Sequence, residues 1–338
     1  MAGQVTGSMS DWPYDKVCIY GAGAIGAWIG THLGQLGCAV SVVARGATLD
    51  ALRQHGLRCR EGGVERKVTV RASADAAGIG VQDLVVLAVK APAVAGIARQ
   101  IRPLLDPQTV VLTAMNGVPW WFFEGFGDKL AGTRLNAVDP RGEIAQAIPT
   151  AHIIGCVVHA SSALLEPGYA QHHFGKRLII GEPSGAKTGR VQQLAAMLTG
   201  AGFETELSAQ IQKDIWYKLW GNMTVNPISA LTGATTDLIL DDPLVRGFIS
   251  SVMLEAREIG ARIGIPILQQ PENRHEVTRK LGAFKTSMLQ DVEAGRPVEL
   301  DALVTVVQEL GALTRVATPN TDILLGLARL QARVRKLY

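Results

Sequence analysis

Short runs of consecutive apolar residues mark the first third of the chain. Lys16–Tyr20 ends at a glycine cluster and predicts a buried strand. The small residues that follow predict a helix to about Leu36, with Gly37 at the position just past its end. Ala39–Ala44, Leu84–Val89 and Thr109–Leu112 predict further strands. Strands that are apolar throughout and alternate with helices predict a parallel sheet covered on both faces. From about Ile153 to Ile180 the pattern shifts to short alternating runs such as Gly175–Gly181, which predict antiparallel strands extending that sheet. A helix near Arg190–Leu198 and a strand near Phe203–Glu206 complete this part. From about Ala209 apolar positions recur three and four apart, over Leu244–Ile263, Leu300–Leu313 and Thr321–Leu337. The expected organisation is an α/β dinucleotide-binding domain over 16–208, then an all-helical domain over 209–338. Residues 1–15 are polar and aperiodic and read as a flexible leader.

Composition narrows the class. Hydrophobic residues make up 47% and charged residues 19%, which suits a large buried core and not a disordered chain. The net charge of +3, from 33 basic and 30 acidic side chains with no basic block, gives no nucleic-acid footprint. No apolar run reaches the roughly 18–20 residues of a membrane span, and the N-terminus lacks a signal-peptide pattern. Cys18, Cys38, Cys59 and Cys156 form no C-x-x-C pair; they read as reduced, mostly buried thiols of a cytoplasmic protein. His172 and His173 are neighbours on an expected strand, so they point to opposite faces, and no metal site is expected.

Gly21-Ala-Gly-Ala-Ile-Gly26 is a GxGxxG motif with a strand before it and a helix after it. Gly21 permits the tight turn, Gly23 lets a pyrophosphate approach, and Gly26 lets helix and strand pack closely. The exposed N–H groups from Ala24, Ile25 and Gly26 at the helix start attract phosphate. An NAD-binding chain usually places an acid at the end of the second strand. Val42-Val-Ala-Arg45-Gly46 has none. Arg45 instead suits a 2′-phosphate, so NADP(H) is the expected cofactor. Asp50 falls inside the next helix and is discounted.

Lys218, Asn222 and Asn226 are four apart and share one helix face. Trp216 lies opposite, as an anchor in the core. A lysine whose pKa is lowered by burial can donate a proton, and two amides can orient a polar substrate without adding charge. Spacing alone leaves open a plain polar face.

The stretch Trp216-Tyr-Lys-Leu-Trp-Gly-Asn-Met-Thr-Val-Asn226-Pro227 resembles the signature of the ketopantoate reductases. In that family the lysine protonates the substrate carbonyl and the asparagines hold the substrate, on a Rossmann domain followed by a helical one. The resemblance extends along nearly the whole chain. Ala88-Val-Lys90-Ala91 resembles the family's cofactor-side lysine, and Thr113-Ala-Met-Asn116-Gly117 its asparagine–glycine motif beside the nicotinamide. Thr286-Ser-Met-Leu-Gln-Asp291 and Gly295-Arg-Pro-Val-Glu-Leu-Asp301 resemble its serine and glutamate motifs. By resemblance Ser287 binds the substrate carboxylate and Glu299 the substrate hydroxyl. Pro297 fits the first position of a helix, which puts Glu299 in its first turn and Asp301 close by.

The implied activity is NADPH-dependent reduction of a small 2-oxo acid, with 2-dehydropantoate the best specific candidate and a homodimer left open. One segment departs from the family. Val118-Pro-Trp-Trp-Phe-Phe123 is more aromatic than the enteric-type enzymes, and it fits either a reshaped substrate pocket or core. A reductase of another oxo acid or an imine therefore stays open, as does an NADP sensor without turnover. The full polar set argues against the sensor.

Overall fold

The computed structural model describes Trp12–Tyr338. The chain forms two compact units. The first comprises Met1–Val89, Gly96–Met115 and Ala147–Ile211, and the second Lys90–Ala95, Asn116–Gln146 and Gln212–Tyr338. Of the expected leader over 1–15, residues 1–11 lie outside the described chain. Its last part is held in place, not loose: Tyr14 is 6% exposed and its hydroxyl donates to the Arg190 carbonyl at 2.9 Å. An aromatic side chain in a polar leader still gains by burial, which a scan for periodicity does not register.

In chain order the α/β unit begins with β1 (Lys16–Tyr20), α1 (Ala24–Gln35), β2 (Ala39–Val43) and α2 (Gly46–His55). Then come β3 (Leu57–Glu61), β4 (Val64–Val68), β5 (Arg71–Ser73) and β6 (Leu84–Leu87). The short α3 (Val94–Ala98) precedes β7 (Val110–Thr113). After α4 (Glu143–Ala147) follow β8 (Ile153–Glu166), β9 (Tyr169–Gly181), α5 (Gly189–Gly200) and β10 (Glu204–Leu207). One ten-stranded sheet runs β4-β3-β9-β8-β7-β6-β1-β2-β5, with β10 also paired to β9. β5, β2, β1, β6, β7 and β8 are parallel neighbours in that order, and β8 with β9 is antiparallel. Sheet order reverses at β1 and β6, the switch point at which open α/β sheets bind ligands. Strands β1, β6 and β7 carry almost only buried apolar residues, as a doubly covered sheet requires. Gly26, Gly30 and Gly34 line one face of α1; a Cβ on Gly30 would sit 2.6 Å from Leu57 and one on Gly34 2.3 Å from Val68.

The helical unit contains α6 (Ile211–Thr232), α7 (Thr236–Asp241), α8 (Pro243–Arg262) and α9 (Pro271–Arg279). It ends with α10 (Ser287–Glu293), α11 (Val306–Thr314) and α12 (Pro319–Val334). A π-helical turn, Asp301–Thr305, leads into α11. The back of α6 is anchored on α8: the Trp220 indole donates to the Met253 carbonyl at 2.7 Å, and Gly260 leaves room for the Trp216 ring. Trp121, Phe122 and Phe123 are each at most 1% exposed, and Phe122 lies 6.4 Å from Trp216. The aromatic segment is thus core behind α6. Truncating Phe122 to alanine is expected to cost about 3–5 kcal/mol.

Candidate active site

In the α/β unit, the loop after β1 is shaped by sterics. Gly21 has φ +100°, and a Cβ there would fall 2.4 Å from Val89. A Cβ on Gly26 would fall 2.0 Å from the Gly21 carbonyl oxygen, so the α1 helix can approach β1 only with glycine. At Gly23 nothing lies nearer than the Ala88 carbonyl oxygen at 4.0 Å, so the space beside this residue is open. The helix α1, which starts at Ala24 and runs through Ile25 and Gly26, has no side-chain cap and no acid in its first turn. An open glycine loop facing a helix start with no negative charge fits a dinucleotide pyrophosphate. Arg45 is exposed at the start of α2 and donates to the Gln100 side chain, while Asp50 lies within α2. An exposed guanidinium with no acid partner among the described residues fits a 2′-phosphate.

The helical unit holds the polar set. Lys218 is half-buried on α6, and its ammonium donates to Asn116 Oδ1 at 2.8 Å. Asn116 is fixed by the residues after it. Gly117 has φ +82° and approaches the π-helical turn so closely that a Cβ would be 2.5 Å from the Ala302 carbonyl oxygen. The Val118 N–H donates to that same oxygen at 2.9 Å. Asn222 and Asn226 continue the Lys218 stripe, Asn226 buried and Asn222 half-buried. Neither side-chain amide makes a hydrogen bond among the described residues. Pro227, inside α6, removes the helical bond to the Met223 carbonyl beside this stripe.

Glu299 is buried, and its Oε1 accepts the Ala91 N–H at 3.0 Å. Burial raises its pKa above the usual 4.5; the Ala91 N–H, Lys90 and Lys218 oppose the rise and Asp291 adds to it. Lys90 pairs with buried Asp291, which also accepts from Arg296 at 3.1 Å. Ser287 is exposed one turn before Asp291 on α10, a helix capped by the Thr286 hydroxyl. Asp301 turns elsewhere, to the Thr305 and Tyr338 hydroxyls at 2.9 and 2.7 Å.

One expectation here needs correction. Pro297 is not at a helix start. Val298 donates to the Leu337 carbonyl at 3.1 Å, which keeps this segment out of the helix until Leu300. Glu299 therefore precedes the helix and is not in its first turn. Proline permits a helix start but does not compel one, and a tertiary bond decided the matter.

The structure thus joins Lys218 to Asn116, and gathers Glu299, Lys90 and Asp291 around the Ala91 N–H. Asn222, Asn226 and Ser287 stand on the adjoining helices without a direct bond to that set. Asp291 and the Ala91 N–H were missed as site groups, although Asp291 stands four residues after Ser287, the spacing of one helix face.

The profile of "Ketopantoate reductase PanE/ApbA" matches residues 17–119, and that of its C-terminal domain matches 210–332. A 2-dehydropantoate 2-reductase of Mesorhizobium japonicum is 46% identical over 324 residues, spanning 96% of this chain and 99% of its own. The chain belongs to the ketopantoate reductase family. As a ketopantoate reductase relative it is an NADP-dependent oxidoreductase acting on CH–OH groups, with a small-molecule substrate. Solved structures agree. A protein of Ralstonia solanacearum assigned as a ketopantoate reductase superposes with TM-score 0.92 at 54% identity, covering 98% of this chain and 100% of its own. The 2-dehydropantoate 2-reductase of Geobacter metallireducens gives 0.81 at 28% identity, covering 93% and 99%. Among the described residues no helix is long and apolar enough to cross a membrane, and no three His, Cys, Asp or Glu side chains are grouped to hold a metal.

Proposed function

We propose that this protein reduces 2-dehydropantoate to pantoate, with unit one holding NADPH and unit two holding the oxo acid. The observation that carries the reading is the Lys218 ammonium 2.8 Å from Asn116 Oδ1, on one stripe with two amides that make no hydrogen bond among the described residues. NADPH supplies the hydride. Gly21, Gly23, Ala24, Ile25 and Gly26 would cradle its pyrophosphate, Arg45 would take the 2′-phosphate, and Lys90 and Asn116 would serve the nicotinamide side. Asn116 aims Lys218, which protonates the carbonyl oxygen of the substrate. Asn222 and Asn226 orient the carbonyl and carboxylate, and Ser287 adds a hydroxyl to the carboxylate. Glu299, kept easier to protonate by burial, meets the terminal hydroxyl of the substrate. Positioning and general acid catalysis share the barrier reduction. The test is stoichiometric: NADPH consumed should match pantoate formed from 2-dehydropantoate. Turnover with other 2-oxo acids and none with this one would refute the substrate.

A reducing cytoplasmic location suits four buried cysteines that form no disulfide among the described residues. A second copy of the chain is the partner proposed for α12. Ile323, Leu327, Leu330 and Val334 form an exposed apolar row, 55–76% accessible, at helical spacing. Laid antiparallel about a two-fold axis, Ile323 meets Val334, Leu327 meets Leu330, and Asp322 meets Arg335, so the row complements itself in shape and charge. Sedimentation should show a dimer that Leu330→Glu dissociates; a wild-type monomer would refute it.

A further inference from the structure

Among the described residues Arg274, on α9, has no counter-ion within ion-pair distance. Its guanidinium makes no ion pair and no side-chain hydrogen bond among the described residues, and its Nε is shut off from solvent. Burial lowers its pKa and Tyr217, whose ring centroid lies 6.0 Å from Cζ, opposes the shift. Guanidinium keeps its proton in proteins, so the charge persists. The surroundings give no relief. His275, next in sequence, has its pKa lowered first by burial and then by Arg246, Arg279 and Arg274, with Glu272 alone opposing. Arg279 is paired with Asp241, and Arg246 donates to a backbone carbonyl. Arg274 as a whole is half-buried, and a partly desolvated charge with no partner is unfavourable unless something supplies one.

The place of this group is specific. It lies flat on α6 at Gly221, where a Cβ would come 2.5 Å from Nε and 2.7 Å from Nη2. Glycine weakens a helix interior relative to alanine, so the gap at Gly221 is costly to α6 and serves the guanidinium. Tyr217 immediately precedes Lys218, and Gly221 immediately precedes Asn222. The fork therefore rests on the row of α6 beside the Lys218–Asn222–Asn226 stripe, where Tyr217, Lys218 and Asn222 are half-buried and Gly221 and Asn226 are buried. A planar fork is built to take both oxygens of a carboxylate at once. A 2-oxo acid carries its carboxylate on the carbon next to the carbonyl that Lys218 would protonate.

We propose that Arg274 is a carboxylate-binding residue of the substrate site, seated by Gly221, and that it selects oxo acids over their neutral derivatives. This rests on the reductase reading above.

The experiment compares 2-dehydropantoate with its carboxamide in wild type, Arg274→Met, Arg274→Lys and Gly221→Ala. Wild type should strongly prefer the acid. Arg274→Met should lower kcat/KM for the acid by about 10²–10³-fold, mostly through KM, the usual size of a lost buried charge contact. The carboxamide rate should be unchanged. Arg274→Lys, which keeps charge and stem but loses the fork, should show a smaller loss confined to the acid. Gly221→Ala keeps Arg274 but displaces it, so acid preference should fall while melting temperature holds or rises. Added guanidinium chloride should partly restore the acid rate of Arg274→Met. Equal losses for acid and carboxamide, or unfolding of both Arg274 variants, would make the residue a structural prop and overturn the proposal. If wild type turns over a different 2-oxo acid, the reductase substrate is wrong while the same comparison on that acid still decides Arg274.

Discussion

The glycine loop of the α/β unit and the polar set of the helical unit are built on different principles. The loop is contiguous: the six residues Gly21–Gly26 follow β1 directly and are shaped by backbone geometry, with Gly21 and Gly26 excluding any side chain by contacts of 2.4 and 2.0 Å. The polar set is assembled from Lys90, Asn116, Lys218, Asp291 and Glu299, drawn from segments far apart in the chain. A local steric device leaves a short motif in sequence. A set of side chains held by tertiary bonds leaves only isolated polar residues, whose roles depend on what they meet.

That contrast can be attacked from both sides. The largest effect is expected at Lys218. Lys218→Ala should lower kcat by about 10²–10⁴-fold, the range for a general acid, and leave NADPH affinity close to wild type. Fluorescence titration of NADPH against the purified variant checks it. Collapse of cofactor binding along with turnover would make Lys218 a cofactor or structural residue.

Arg45→Ala should act in the opposite sense, on cofactor choice alone. Loss of one charge-assisted contact, about 1.5–3 kcal/mol, should weaken NADPH and spare NADH. Equal affinity of the wild type for both cofactors would contradict the role given to Arg45.

The smallest effect concerns stability. The folded pKa of Glu299 is raised above 4.5 by burial, so the folded chain holds that proton more tightly than the unfolded chain does. This contribution is fully present below pH 4.5 and is lost as pH rises through the raised value. Glutamine stays neutral throughout. Glu299→Gln should therefore melt higher than wild type at mildly alkaline pH, with the gap closing toward acid. Melting curves across that range test it, and a gap that widened toward acid would be the wrong sign.

Much of the α/β fold was legible, since a buried parallel strand must be apolar throughout and β1, β6 and β7 are. Helical periodicity placed α8 within a residue, as Pro243–Arg262 against Leu244–Ile263. Tertiary contacts decided the rest. No pattern in Lys90–Ala95 or Asn116–Gln146 says that these segments belong with the helices. Pro297 looked like a helix start because proline is permitted there, whereas the bond from Val298 to Leu337 delays the helix. The aromatic run could be pocket or core by composition; only packing against Trp216 identifies it as core. Arg274 is one of many arginines in the sequence, and its lack of a partner among the described residues is visible only in three dimensions.

The most direct test of the central claim is kcat/KM for 2-dehydropantoate and for hydroxyl-free 2-oxoisovalerate, with wild type and Glu299→Gln. A site built around a hydroxyl leaves a buried carboxyl one hydrogen bond short when that hydroxyl is missing. Wild type should favour 2-dehydropantoate by about 10²-fold or more, and Glu299→Gln should shrink the preference. A wild type that reduces the hydroxyl-free acid equally well or faster would contradict the account.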